Sequence, residues 1–152
     1  MKIFYAHSAT TPPKQVSREV KLLKKVISER GTDNPRIRSG RDDHQNNWKG
    51  DWDAWQYSVV HRTDLTTQKR VYDVFMVTGT HCGRATANIL RLALSLDRPV
   101  FWWDGEDPGI IRKVKEIEED DCEDWTTGWR ITCWNAAKPK QLPLPFPEDS
   151  RP

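Results

Sequence analysis

The chain has 152 residues, 36% hydrophobic and 30% charged, with a formal net charge of +2, the size and balance of one soluble globular domain with a single core. No apolar run approaches the roughly 18 residues that span a bilayer, so no membrane partner is expected. Cys82, Cys122 and Cys133 are odd in number and contain no C-x-x-C pair, which argues against a disulfide framework or a cysteine zinc site and for a reducing compartment.

The N-terminus lacks the apolar region of a signal peptide, and the expected location is the cytoplasm. Charge is uneven along the chain. Residues 1–41 hold ten Lys/Arg against three Asp/Glu, and residues 104–124 hold ten Asp/Glu against three Lys/Arg. One end of the domain is thus expected to favour anions and another to repel them, unless the two runs are simply solvated helix faces.

Ile3 to Ala6 reads as a buried first strand, followed by the polar loop His7-Ser8-Ala9-Thr10-Thr11-Pro12-Pro13. Val16, Val20, Leu23 and Ile27 then recur at helical spacing, with Lys14, Arg18, Lys21 and Lys25 on the opposite face and Gly31 as the stop. Residues 32–47 read as polar and irregular. Trp48, Trp52, Trp55 and Val59 predict an aromatic-faced helix to about His61. Val71 to Val77 is the clearest strand, ending in Thr78-Gly79-Thr80-His81-Cys82-Gly83.

A helix is expected from Arg84 to Leu96, with Ala85, Ile89, Leu92, Ala93 and Leu96 inward. Leu90 and Leu94 make it apolar nearly all round, so a further element must cover it. Arg98 to Trp103 is a third strand. Asp107-Pro108 resembles a capped helix start, and Ile110, Val114 and Ile117 would be that helix's inward face. Trp129 to Trp134 reads as a last strand on an edge. Strands separated by helices imply parallel pairing, so the expectation is a single α/β domain over residues 1–135. It would be a three-layer, flavodoxin-like fold with a short parallel sheet and helices on both faces. Residues 136–152, rich in proline, read as an extended tail.

In such sheets ligands bind outside the carboxyl ends of the strands. That places His7, Ser8 and Thr10, the turn Thr80-His81-Cys82-Gly83-Arg84-Ala85-Thr86, and Asp104 with Glu106 around one rim. The turn offers backbone N–H groups and a helix N-terminus to an anion, with Arg84 to grip a phosphate. Ser8, Thr80, His81, Gly83, Arg84 and Thr86 are therefore the ligand-binding candidates for a phosphate or nucleotide. His7, as acid or base, and Asp104 and Asp64, as carboxylates, are the catalytic candidates. Trp48, Trp52 and Trp55 are suited to stacking on a base. Cys82 as a nucleophile and Asp42-Asp43-His44 as a metal site are weaker patterns, and neither a metal nor a cofactor is expected.

Lys2-Ile3-Phe4-Tyr5-Ala6-His7, Tyr72-Asp73-Val74-Phe75-Met76-Val77 and Gly83 through Val100 together resemble the nucleoside 2-deoxyribosyltransferase-like group. That group shares its architecture with TIR-type and related nucleotide-binding domains. The resemblance covers residues 1–104 and is one of pattern. It implies binding of a nucleoside or nucleotide and chemistry at an N-glycosidic bond, by a transferase or hydrolase with a glutamate nucleophile on the helix after the glycine turn. That position is Ile89 here, and isoleucine can neither attack a sugar nor hold a charge. The alternative is a non-catalytic nucleotide-binding or partner-binding accessory protein.

Gln141-Leu142-Pro143-Leu144-Pro145-Phe146 in the tail resembles a peptide that docks on a sliding clamp or another peptide groove. Homo-oligomerisation is left open.

Overall fold

The computed structural model describes residues 1–47, 50–120 and 128–134. Strands alternate with helices in the order β1 (Lys2–Ala6), α1 (Pro13–Glu29), β2 (Arg36–Ser39), α2 (Gly40–Asn47), α3 (Trp52–His61) and β3 (Val74–Thr78). There follow β4 (His81–Cys82), α4 (Arg84–Ser95), β5 (Val100–Trp103), β6 (Ile111–Glu119) and β7 (Trp129–Cys133). Among the described residues no helix is long and apolar enough to cross a membrane.

The strands form one seven-stranded mixed sheet in the order β2-β1-β3-β5-β6-β7-β4, larger than the short parallel sheet expected. The first four strands pair in parallel, as helical crossovers require. The last three pairings are antiparallel.

Alternation along the strands divides the core in two. Ile3 and Tyr5 of β1, Val74 and Met76 of β3, and Phe101 and Trp103 of β5 pack on Leu23, Val26 and Ile27 of α1. The intervening Phe4, Ala6, Phe75, Val77 and Val100 pack on α3 and α4 through Trp55, Val59, Ile89, Leu90 and Ala93. On the parallel strands, α1 thus packs on one side and α3 and α4 on the other. The crossover through α1 leads from β1 to β2, and the next leads back past β1 to β3. The strand order consequently reverses between β1 and β3, where an open α/β sheet leaves a crevice.

Several local expectations hold. Gly31 stops α1 with a φ of +97°, and the N–H groups of Gly31 and Thr32 close onto Ser28 and Ile27 carbonyls. The basic residues Lys14, Arg18, Lys21 and Lys25 are exposed. The cover over α4 is the β6–β7 hairpin, which folds back so that Trp129 and Ile131 pack against the same core as α4. Arg91 lies 4.9 Å over the Trp129 ring.

Four expectations are corrected. The region 32–47 is not irregular, because Arg36–Ser39 finds a parallel ladder on β1, and Ser39 Oγ accepts the Asp42 N–H to cap α2. The helix expected after Asp107-Pro108 is instead β6. A bulge between Val114 and Glu116 gives the strand one extra residue, so Val114 and Ile117 face the same side and imitate a helical three-residue step. Strand β7 is not an edge, since β4 pairs with its outer side. Leu96, expected inward, is 38% exposed at the C-cap of α4. The tail and its Gln141-to-Phe146 peptide, together with Trp48 and Cys122, lie outside the described residues.

Candidate functional site

The carboxyl ends of β1 and β3 open into two adjoining cavities whose linings share Ala6, His7 and Thr86. Thr86 forms the ridge between them, its Oγ1 donating to the His7 carbonyl at 3.1 Å. On the α3/α4 side lies an apolar lobe of about 230 Å3, walled by Phe4, His44, Trp52, Trp55 and Ile89 and bordered by Gly40 and Arg41. On the α1 side lies a polar lobe of about 320 Å3. It is lined by the hydroxyl-bearing residues Ser8, Thr10, Thr11, Thr78 and Thr86, with Tyr5, Gln15, Glu19 and His81.

The walls of the apolar lobe are aromatic because α3 carries Trp52 and Trp55 one turn apart, their ring centroids 5.0 Å from each other. His44 meets both edge-on, at 4.5 and 5.0 Å. Gly40 is the point of close approach in this wall. A Cβ there would lie 3.3 Å from Phe4 Cζ, so glycine lets α2 approach the end of β1.

A buried network behind the lobe holds α2 in place. Asp43 is 0% exposed and accepts hydrogen bonds from Trp55 Nε1 at 2.8 Å, from Arg62 Nη2 and from the Tyr72 hydroxyl. Burial, with the adjacent Asp43 carboxylate, drives the Tyr72 pKa far up, so its hydroxyl stays a donor. Asp43 and His44 are thus two neighbours with separate structural duties. Among the described residues no group of three or more His, Cys, Asp or Glu is placed to hold a metal ion.

His7 sits on the ridge but is fully engaged. Its Nε2 accepts the Arg41 backbone N–H at 3.1 Å, which puts the proton on Nδ1, and Nδ1–H donates to the Ser8 carbonyl at 2.9 Å. Burial lowers its pKa and keeps the ring neutral. With no lone pair left for a ligand, His7 pins the start of α2 to the end of β1, and the acid–base role expected for it has no geometric basis.

The remaining candidates divide. Ser8, Thr10, His81 and Thr86 line the polar lobe. His81 also ties the rim together, its Nε2 on Asp120 Oδ2 at 2.7 Å and its Nδ1 on Thr80 Oγ1 at 2.9 Å. Thr80, Gly83 and Arg84 line neither lobe, and Arg84 is exposed. Asp104 is near the rim but turned into its own loop, where it accepts the Glu106 N–H at 3.0 Å. Asp64 is at the opposite end of the sheet. It stands 3.5 Å from Lys2 Nζ at the start of β1 and caps its own turn through the N–H groups of Thr66 and Thr67.

Asp73 is at that end too, accepting the Lys2 N–H. Cys82 is buried, which pushes its thiol up to about 12 and leaves it un-ionised at neutral pH.

Two residues the sequence did not single out complete the site. Glu19 enters the polar lobe from α1, where its Oε1 accepts from the Tyr5 hydroxyl at 3.0 Å and its Oε2 from Gln15 Nε2 at 3.4 Å. The i, i+4 relation of Gln15 and Glu19 was visible in the sequence, whereas the partnership with Tyr5 exists only once α1 lies on β1. Burial and the Glu19 charge raise the Tyr5 pKa far above its usual value. Tyr5 therefore remains a neutral donor that holds the carboxylate.

Comparisons with protein-family models, with curated proteins and with solved structures find no match for this chain.

Proposed function

We propose that this domain binds a nucleoside across the end of β1, the base in the apolar lobe and the sugar in the polar lobe, without cleaving the bond between them. The observation that carries this reading is the pairing of an aromatic slot with a hydroxyl-lined cavity across the single ridge Ala6-His7-Thr86. Aromatic side chains stack on any base through its π-face, and hydroxyl groups match a sugar in both donor and acceptor roles.

Three features favour binding over N-glycosidic chemistry. Ile89 lines the apolar lobe at the position where the deoxyribosyltransferase-like pattern has a glutamate. No Asp or Glu is among the residues lining that lobe, and Glu19, which lines the polar lobe, is held there by the Tyr5 hydroxyl and the Gln15 amide. The carboxylates Asp104 and Asp64 line neither cavity. A flavodoxin-like arrangement, with helices on both faces of its parallel half, is the scaffold in this reading, and the protein acts in the cytoplasm. A nucleoside fits better than a nucleotide, because the polar lobe is lined by Glu19 and by no Lys or Arg, and a carboxylate repels phosphate.

The test is tryptophan-fluorescence titration with purified nucleosides, alongside chromatography for free base. Saturable quenching is expected with no base released. Trp52→Ala is expected to weaken binding by roughly 1–3 kcal/mol, the worth of one base–aromatic stack. Unchanged affinity in that variant would remove the base from the apolar lobe, and steady release of base would overturn the binding-only conclusion.

A further inference from the structure

We infer that Glu19 selects ribonucleosides over 2′-deoxyribonucleosides by accepting both hydroxyls of the ribose cis-diol. This rests on the nucleoside reading and deepens it, since that reading needs only a sugar in the polar lobe.

The inference starts from an uncompensated charge. Glu19 lines a cavity, yet among the described residues no Lys or Arg forms an ion pair with it. Its partners are two neutral donors, the Tyr5 hydroxyl and the Gln15 amide. Each takes one acceptor position on a different carboxylate oxygen, and an ionised carboxylate has about four such positions. Both oxygens therefore keep acceptor capacity, and Tyr5 and Gln15 fix the orientation in which it is offered. The ligand chemistry that satisfies two adjacent acceptors without adding negative charge is a pair of vicinal hydroxyl donors. Acidic side chains hold ribose 2′-hydroxyls in dinucleotide-binding folds for the same reason.

Tyr5 is a suitable anchor because it is fully buried between α1 and β5, its ring 6.4 Å from that of Trp103, and burial keeps its hydroxyl protonated. The carboxylate is thus held before a ligand arrives, which lowers the ordering cost of binding. Removing the 2′-hydroxyl would delete one charge-assisted hydrogen bond and leave an acceptor unfilled.

The experiment is isothermal titration of the full chain with adenosine, guanosine, cytidine and uridine and with the four 2′-deoxy counterparts. At least one ribonucleoside is expected to bind about tenfold or more tightly than its 2′-deoxy form, the usual worth of a hydrogen bond to a charged group. Glu19→Gln should bring the two affinities together, and Tyr5→Phe should narrow the ratio without removing it. Equal affinities in the unmodified protein would overturn the inference and leave the nucleoside reading standing. A ribose preference that survives Glu19→Gln would overturn the role of Glu19. Binding of no nucleoside of either series would overturn both.

Discussion

Replacing Asp43 with alanine should cost a large part of the stability that a domain of this size possesses. The side chain is 0% exposed and gathers donors from three places: Trp55 on α3, Arg62 just beyond it, and Tyr72 just before β3. Its loss leaves the Arg62 guanidinium, whose side chain is 22% exposed, without a counter-ion. Nη1 of that guanidinium is already buried with no partner. Breaking one side of a buried ion pair costs about 3–5 kcal/mol. The two orphaned neutral donors add about 1–3 kcal/mol each where water cannot reach them.

The partial exposure of Arg62 and the shortness of α2 allow some rehydration, so the expected loss is about 4 kcal/mol, against a typical total of about 5–15. Urea unfolding followed by circular dichroism measures it as a fall in midpoint at unchanged m. The neighbouring Asp42→Ala is the control. Its ion pair with Arg38 is about half exposed, and its removal should cost no more than about 0.5 kcal/mol. A loss at Asp43 of less than about 1 kcal/mol, comparable with Asp42, would refute the claim that this carboxylate locks α2 to the body of the fold.

The engagement of His7 predicts a pH dependence. Its pKa in the folded protein is lowered from 6.5, so as pH falls through 6.5 the unfolded chain takes up a proton that the folded ring refuses. Stability therefore declines on acidification from about 6.5 down to the folded pKa, by at most about 1.4 kcal/mol per pH unit from this group. His7→Gln should flatten that part of the profile. An unaltered slope would show that His7 is not held neutral. Cys82, buried with its thiol pushed up to about 12, should resist iodoacetamide in the native protein and react after denaturation. Peptide mass spectrometry reads this, and fast native labelling of Cys82 would contradict its burial.

Periodicity and strand alternation were enough to reveal β1, α1, α3, β3, α4 and β5, because each buries a regular set of side chains against one face of its neighbour. The need for a cover over α4 was also legible, since Leu90 and Leu94 leave it no polar side. The rim was legible in part from topology: His7, Ser8, Thr78 and Thr86 meet at the ends of β1 and β3, whereas Thr80, Gly83, Arg84 and Asp104 line neither cavity. The bulged β6 was not legible. One extra residue at Lys115 restores Ile117 to the face of Val114, and such a step has the spacing of a helix. Strand β2 was hidden because its order comes from the ladder on β1 and not from its own side chains, two of which are exposed arginines.

The chemistry of the rim was decided by contacts across long separations. Asp43 is committed to Trp55, Arg62 and Tyr72, His7 to the Arg41 backbone, and Glu19 to Tyr5. Local sequence sets which face of an element is apolar, because that depends on neighbours three or four residues away. Whether a polar side chain is spent on the fold or left facing a ligand depends on partners brought up from elsewhere in the chain, and the tertiary structure alone supplies those.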